Sequence, residues 1–278
     1  VELSPQFLDA FSIALPPGSL TGRGSGDLVL RLRAGHAPDF TLVSDLRGVG
    51  LALPQVGWAK STGTRGKLLV TGALGLPPRI NRLEVSGGGL DVAGRVTLND
   101  QGGFQTAQFE RVRIGNWLDA PITLRGRGRG APVGVTINGG AVDLRAATFA
   151  SAGGDGGPME LALNRIQITD GIALEDFRGS FSGQGGFSGN FQGRVNGGPL
   201  VKGTVVPRDG RSAMRLLSDD AGGLANAAGL LQNASGGTLD LTLLPVAGEG
   251  MFDGILSVRG LRIRDAPAMA ALLDAISV

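Results

Sequence analysis

The sequence predicts a mostly β chain: a long antiparallel meander of about 15 strands, with two short amphipathic helices near its C-terminal end. Three observations predict it. Apolar and polar residues alternate with a period of two along much of the chain. Clusters of glycine, proline and asparagine interrupt that alternation at hairpin spacing. No helix-period segment separates strands through the first 210 residues, which excludes βαβ crossovers and a parallel α/β sheet.

The elements follow in order. Leu28, Leu30 and Leu32 alternate with Val29, Arg31 and Arg33, as a strand with one wet face does. Phe40, Leu42, Ser44 and Leu46 repeat the pattern, and so do Leu90, Val92, Gly94, Val96 and Leu98 against Asp91, Ala93, Arg95, Thr97 and Asn99. It returns in Ile122 and Leu124, in Val133, Val135 and Ile137, in Phe187, Gly189, Phe191, Gly193 and Val195, and in Leu239, Leu241 and Leu243. Turns are expected at Gly22 to Gly26, Pro77-Pro78, Gly87 to Gly89, Asn99-Asp100, Asn138 to Gly140, Gly153 to Pro158 and Asn196 to Pro199. A helix is predicted over 219–233: Asp219 and Asp220 offer N-caps to a stripe of Leu224, Ala227, Ala228 and Leu231, weakened by Gly222, Gly223 and Gly229. Asp265 and Pro267 open a second over 266–277, with Met269, Leu272, Leu273 and Ile276 on one face. Both helices read as caps, with Leu224, Ala228 and Leu231 expected against the apolar sheet face. Gly57-Trp58, followed by Leu68 to Gly72, echoes Trp117 followed by Pro121 to Gly126, a hint of duplication.

Composition narrows the function. The 278 residues include 49 glycines, one histidine, no cysteine and no tyrosine. Cysteine nucleophiles, disulfides and thiolate zinc are therefore impossible, and His36 alone makes neither a two-histidine metal site nor a catalytic pair. The chain reads as a non-enzyme, with no cofactor and no metal. Lys+Arg of 26 against Asp+Glu of 24 leaves a net charge of +2, which gives a nucleic-acid partner no support. No apolar run approaches the length of about 18 residues that a membrane-spanning helix needs. The opening at Val1, without an initiator methionine, a basic n-region or an apolar h-region, is expected of a piece of a longer polypeptide.

The remaining motifs have ordinary readings. Gly22-Arg23-Gly24-Ser25-Gly26 and Gly183 to Gly189 lead into strand patterns, not helices, so they read as turns or close-packed strands and not as phosphate loops. Arg125, Arg127 and Arg129 fall on one strand face and read as a solvated edge, with lipid headgroup contact and, after it, nucleic-acid contact as the functional alternatives. The adjacent carboxylates Asp219-Asp220 and Glu175-Asp176 do not face one another across a substrate and read as caps and turns. Two tryptophans and no tyrosine are too few for the aromatic girdles of an outer-membrane barrel.

Ser218 to Gly229, Ser235 to Leu243, Gly248 to Ile255 and Gly260 to Ser277 together resemble the AsmA-like C-terminal region, in its YhdP-type branch. The likeness is ordered over residues 212–278, looser over Asp45 to Lys60 with its Leu53-Pro54 and Gly57-Trp58-Ala59-Lys60, and one of style over 61–211. The resemblance implies a bacterial bridge-like lipid transfer protein of the Gram-negative envelope. Such a protein is anchored in the inner membrane by an N-terminal helix and carries phospholipid across the periplasm to the outer membrane in a β-sheet groove. It carries no catalytic motif. On this reading residues 1–278 form one β-groove domain, a fragment of a longer membrane-anchored protein, which meets membranes through parts outside it. The chain stops after Ala275-Ile276-Ser277, before the glycine-rich strands that the resemblance leads one to expect.

The residues alone admit two architectures. The meander folds either into an open, taco-like apolar groove filled by acyl chains or into a two-sheet sandwich with a dry core, a structural scaffold of solenoid or sandwich type without ligand. The resemblance selects the groove. Its expected lipid-binding residues are Leu28, Leu30, Leu32, Leu90, Val92, Val96, Leu98, Ile122, Leu124, Val133, Val135, Ile137, Phe187, Phe191, Val195, Leu239, Leu241 and Leu243.

Overall fold

A computed structural model describes residues 1–6, 18–53, 56–75, 77–101, 103–128, 130–147, 156–183, 186–248 and 251–264. The helix expected over 266–277 lies outside the described residues. The chain divides into two compact units, Val1–Leu163 and Asn164–Val278.

The first unit opens with short strands β1 (Glu2–Leu3), β2 (Leu20–Gly22) and β3 (Gly24–Ser25), then β4 (Asp27–Arg31), β5 (Asp39–Ser44), β6 (Val49–Leu53) and β7 (Trp58–Lys60). It continues with β8 (Lys67–Ala73), β9 (Arg79–Gly87), β10 (Leu90–Leu98), β11 (Phe104–Ile114), β12 (Leu118–Arg125), β13 (Gly134–Asn138), β14 (Ala141–Asp143) and β15 (Met159–Gln167), which runs on into the second unit. Its main sheet has the order β15-β13-β12-β11-β10-β9-β8-β5-β4, with β14 beside β12. All its neighbours for which a register is given are antiparallel except β13 and β15, which run parallel from Val135↔Met159 to Asn138↔Ala162. This departs from a pure antiparallel meander. No helix makes the crossover among the described residues, and Gly157 is needed in it because a Cβ there would lie 1.9 Å from the Val133 carbonyl oxygen.

A small cap covers one edge of this sheet. β2, β6 and β7 form a three-stranded sheet and β1 pairs with β3. Leu3, Leu42, Leu46 and Val49 make a buried cluster, against which Leu20, Leu28, Leu51, Leu68, Val70 and Val85 pack. Lys60 is 2 % exposed, and its ammonium donates to the carbonyls of Leu46 and Val49, both at 2.7 Å, and of Ser61 at 3.2 Å. That ammonium satisfies the carbonyl of Leu46, a non-glycine residue in the left-handed region at φ 52°, whose N–H bonds the Ser44 hydroxyl.

Bulges bend the strands of the first unit. Between β8 and β9 the register jumps from Thr71↔Arg82 to Gly72↔Ile80, leaving Asn81 extra; between β10 and β11 it jumps from Ala93↔Arg111 to Gly94↔Phe109, leaving Glu110 extra. Each extra residue kinks its strand and increases the local twist. Pro121 lies inside β12 opposite the second bulge, where a residue without an N–H is tolerated.

The second unit contains β16 (Ala173–Ser182), β17 (Ser188–Val195), β18 (Leu200–Arg208), β19 (Arg211–Ser218), helix α1 (Ala221–Ala227), β20 (Ala234–Ser235), β21 (Thr238–Pro245), β22 (Phe252–Arg259) and β23 (Arg262–Ile263). Strands β16-β17-β18-β19-β21-β22 follow one another in an antiparallel ladder, and β20 pairs with β23. Glu175-Asp176 marks a bulge in β16, with Asp176 at φ 50°.

The helix predicted over 219–233 is shorter than expected. Asp220 caps it, its carboxylate accepting from Gly223 N–H at 2.9 Å, but it ends at Ala227 and the chain turns at Gly229, φ 69°. Leu231 therefore lies beyond the helix and is exposed, not packed on a sheet. What the helix buries is Ala221 and Gly222. Polar ties fix it: the Asn226 side chain bonds both the N–H and the carbonyl of Ala234, and Asn196 Nδ2 donates to the Ala227 carbonyl at 2.7 Å.

Other sequence readings are settled locally. The glycines of 22–26 serve close strand approach, since a Cβ on Gly24 would lie 2.6 Å from the Arg47 carbonyl oxygen. β12 ends at Arg125, so Arg127 lies past the strand end and no strand face carries the whole arginine series; Arg129 is outside the described residues. Trp58 is inside β7 whereas Trp117 lies in the β11–β12 turn, so the echo between them is not a structural repeat.

Candidate functional site: an apolar sheet face

Residues paired across a ladder point to the same face, so register alone assembles the site. In the first unit one transverse row reads Leu30, Phe40, Gly72, Ile80, Val96, Ala107, Leu124, Val135 and Met159 across nine strands. The next reads Leu28, Leu42, Val70, Leu83, Gly94, Phe109, Ile122, Ile137 and Leu161. Below them run Leu68, Val85, Val92, Val112 and Ala120, then Leu90, Ile114, Leu118 and Val142. Neither nine-strand row contains a charged or polar side chain. At about 4.8 Å between strands, each spans roughly 38 Å.

This face is graded in exposure along the strands. Leu90, Ile114, Leu118 and Val142 are buried. Val92, Val96, Leu98, Ile122, Leu124, Val135 and Ile137 are only half-buried, and at the far strand ends Leu30 is 49 % and Phe104 38 % exposed. The face has a closed margin and an open mouth.

The second unit repeats the arrangement with aromatics. One row reads Gly179, Phe191, Gly203, Leu216, Leu241 and Leu256; another reads Phe181, Gly189, Val205, Met214, Leu243 and Gly254. Rings lie over cross-strand glycines: a Cβ on Gly203 would come within 2.1 Å of the Phe191 ring, and one on Gly189 within 2.5 Å of Phe181. Phe177, Phe181, Phe187 and Phe191 stack with centroids 5.1–6.4 Å apart. Leu256 is 59 % exposed on the same face.

Fifteen of the eighteen residues expected to line a groove fall on these faces. Leu32, Val133 and Phe187 instead lie just beyond strand ends, exposed, although the Phe187 ring still joins the stack. Sequence reasoning missed whole strands of the face: Phe40 and Leu42 carried a recognised alternation without being assigned to it, and Leu68, Val70, Leu83, Val85, Phe109, Phe181, Val205, Leu216 and Leu256 were not singled out as lining residues. Alternation around Val70 and Leu83 was the available signal.

The opposite face mixes apolar side chains such as Val29, Val43 and Leu69 with ion pairs. Glu84 takes Lys67 and Arg82, Asp119 takes Arg111 and Arg113, and Asp240 takes Arg215. The two arginines hold the Asp119 carboxyl down to about 2, hydrogen bonds from Lys67 and then Arg82 lower Glu84, and one from Arg215 lowers Asp240. A depression of about 570 Å³ in the second unit, lined by Thr204, Val206, Arg208, Arg215, Thr242 and Leu244, brings together no carboxylate or nucleophile. Among the described residues no three His, Asp or Glu side chains converge as a metal site, and no helix is long and apolar enough to cross a membrane.

Comparison with models of known protein families, with curated proteins and with solved structures finds no match.

Proposed function

We propose that the apolar sheet faces hold the acyl chains of phospholipids, and that the chain is part of an AsmA-like protein moving lipid across the periplasm between inner and outer membranes. The observation that carries this reading is the pair of apolar rows across nine strands, in which every side chain but those of Leu42 and Ala107 stays at least partly exposed. Contiguous apolar surface of that extent marks a binding site for something apolar. Acyl chains fit its dimensions: one reaches about 15 Å, half of a bilayer core of about 30 Å, whereas the nine residues of β10 extend about 26 Å.

A ligand-free sandwich scaffold is less well supported. A dry core between two sheets seals large side chains from water, yet in the two nine-strand rows Leu42 is the one large side chain that is buried. The test is mass spectrometry of an organic extract of the natively purified protein. Stoichiometric diacyl lipid is expected; a protein that purifies lipid-free and takes up none from detergent-solubilised phospholipid overturns the reading.

A further inference from the structure

The charged residues of the first unit are not evenly distributed. Seven of its described arginines have no side-chain hydrogen bond or ion pair: Arg31, Arg33, Arg47, Arg65, Arg79, Arg125 and Arg127. Five of the seven are at the open mouth of the apolar face. Arg31 ends β4, Arg79 begins β9 and Arg125 ends β12; Arg33 and Arg127 follow two residues past their strands. Register places the strand-end arginines level with one another. Arg31, Asp39, Ala73 and Arg79 form one cross-strand row, and Arg125 opposes Thr106, itself paired with Thr97. That row is one residue outward from the row through Leu30, Ile80 and Leu124. All five arginines are exposed, against two acidic residues among the described ones, Asp39 and Asp100, at the same strand ends.

Away from the strand ends the arginines of this sheet are held by partners, Arg82 by Glu84, Arg95 by Gln108, and Arg111 and Arg113 by Asp119. Those at the mouth are not. An acyl chain laid along the strands with its end toward the buried margin puts its headgroup at this margin, where the long arginine side chains, which leave the strands on the opposite face at their last residues, reach around the strand ends. A guanidinium matches a phosphate with two parallel N–H···O bonds. We infer that the open margin of the first unit is a rail for anionic phosphate headgroups, so that the face selects diacyl lipids with a net negative phosphate headgroup over zwitterionic or uncharged ones. This rests on the lipid-carrying reading above and adds the substrate class to it.

The test loads the purified chain from detergent micelles holding equal amounts of phosphatidylglycerol, phosphatidylcholine and diacylglycerol, then quantifies the lipids extracted after detergent removal. The native chain is expected to retain phosphatidylglycerol over diacylglycerol by about ten-fold, with the preference shrinking as salt rises. The variant Arg31→Gln/Arg79→Gln/Arg125→Gln/Arg127→Gln, built from exposed unpaired positions, is expected to fold normally and lose the preference while total lipid stays unchanged. Arg47→Gln/Arg65→Gln, which removes charge away from the mouth, should keep it. Equal loading of all three lipids by the native chain, or a preference that survives the quadruple change, overturns the rail and leaves acyl binding standing. No loading of any lipid overturns both. If the quadruple variant keeps its preference among extracted lipids but no longer sediments with phosphatidylglycerol vesicles, the arginines dock a membrane surface and the rail is likewise overturned.

Discussion

Gly222 is in the first turn of a helix, where glycine costs about 1 kcal/mol relative to alanine. Its place is explained by Ser235: a Cβ on Gly222 would lie 2.3 Å from the Ser235 backbone nitrogen and 2.4 Å from its Cα. Backbone cannot swing aside as a long side chain can. Gly222→Ala is therefore expected to destabilise the second unit by about 1–3 kcal/mol, the usual cost of overpacking, despite the better helix propensity of alanine. An unchanged urea midpoint for this variant would show that α1 does not depend on the close approach. Asp119 gives a pH signature. Its folded carboxyl is held near 2 by hydrogen bonds from Arg111 and then Arg113, below the unfolded value of about 3.9. A depressed acid stabilises the fold fully above about pH 4 and loses that contribution as pH falls toward 2. The side chain is 42 % exposed, so screening limits the effect to about 1 kcal/mol or less. Denaturation of native protein and Asp119→Asn between pH 6 and 2 should show a small gap that closes over this window.

At the scale of elements, the cap over β4 and β5 depends on one buried cation. Burial lowers the Lys60 pKa, and three carbonyls accept from its ammonium. Lys60→Met keeps the volume but removes the buried donor from these carbonyls, leaving that of Leu46 only the 3.3 Å bond from Val49 N–H, at a cost of about 1–3 kcal/mol. Hydrogen exchange should then accelerate in β6 and β7 while β10 to β12 keep their protection; uniform acceleration would mean that cap and sheet unfold as one. The role of Lys60 is not legible in Gly57-Trp58-Ala59-Lys60, because nothing in an isolated lysine shows that the chain will fold carbonyls around it. The strands were more legible. β4, β10, β13 and β21 alternate in the sequence and are legible there as strands. β9, β11 and β16 were not singled out because Asn81, Glu110 and Asp176 each shift the phase of alternation by one residue. In β16 to β18, Gly179, Gly189 and Gly203 stand at face positions that a neighbouring ring fills, so half of the apolar pattern belongs to a different strand. The helix was overextended because Leu230 and Leu231 continue an apolar stripe past Gly229, which ends the helix in a left-handed turn.

At the scale of the whole molecule, the two readings of the apolar face differ in what a charge placed on it would meet. Leu124 and Val135 are direct cross-strand partners in the outer of the two nine-strand rows, and both are half-buried. Leu124→Arg together with Val135→Asp puts opposite charges face to face, where they stabilise one another by up to about 1 kcal/mol. On an open lipid-holding face, water reaches both groups once the acyl chains are gone, so the expected cost in stability is small. In a sealed sandwich core the same pair would be desolvated at several kcal/mol per ion. On the lipid-carrying proposal the double variant is accordingly expected to retain its strand circular dichroism and melt within a few degrees of the native protein, to lose co-purified lipid, and to fail in an outer-membrane complementation assay. A folded variant that still carries lipid and complements would remove this face from the transport path. An unfolded one would favour the scaffold, because only a dry core has no route by which water can reach a pair of ions already matched in sign and register.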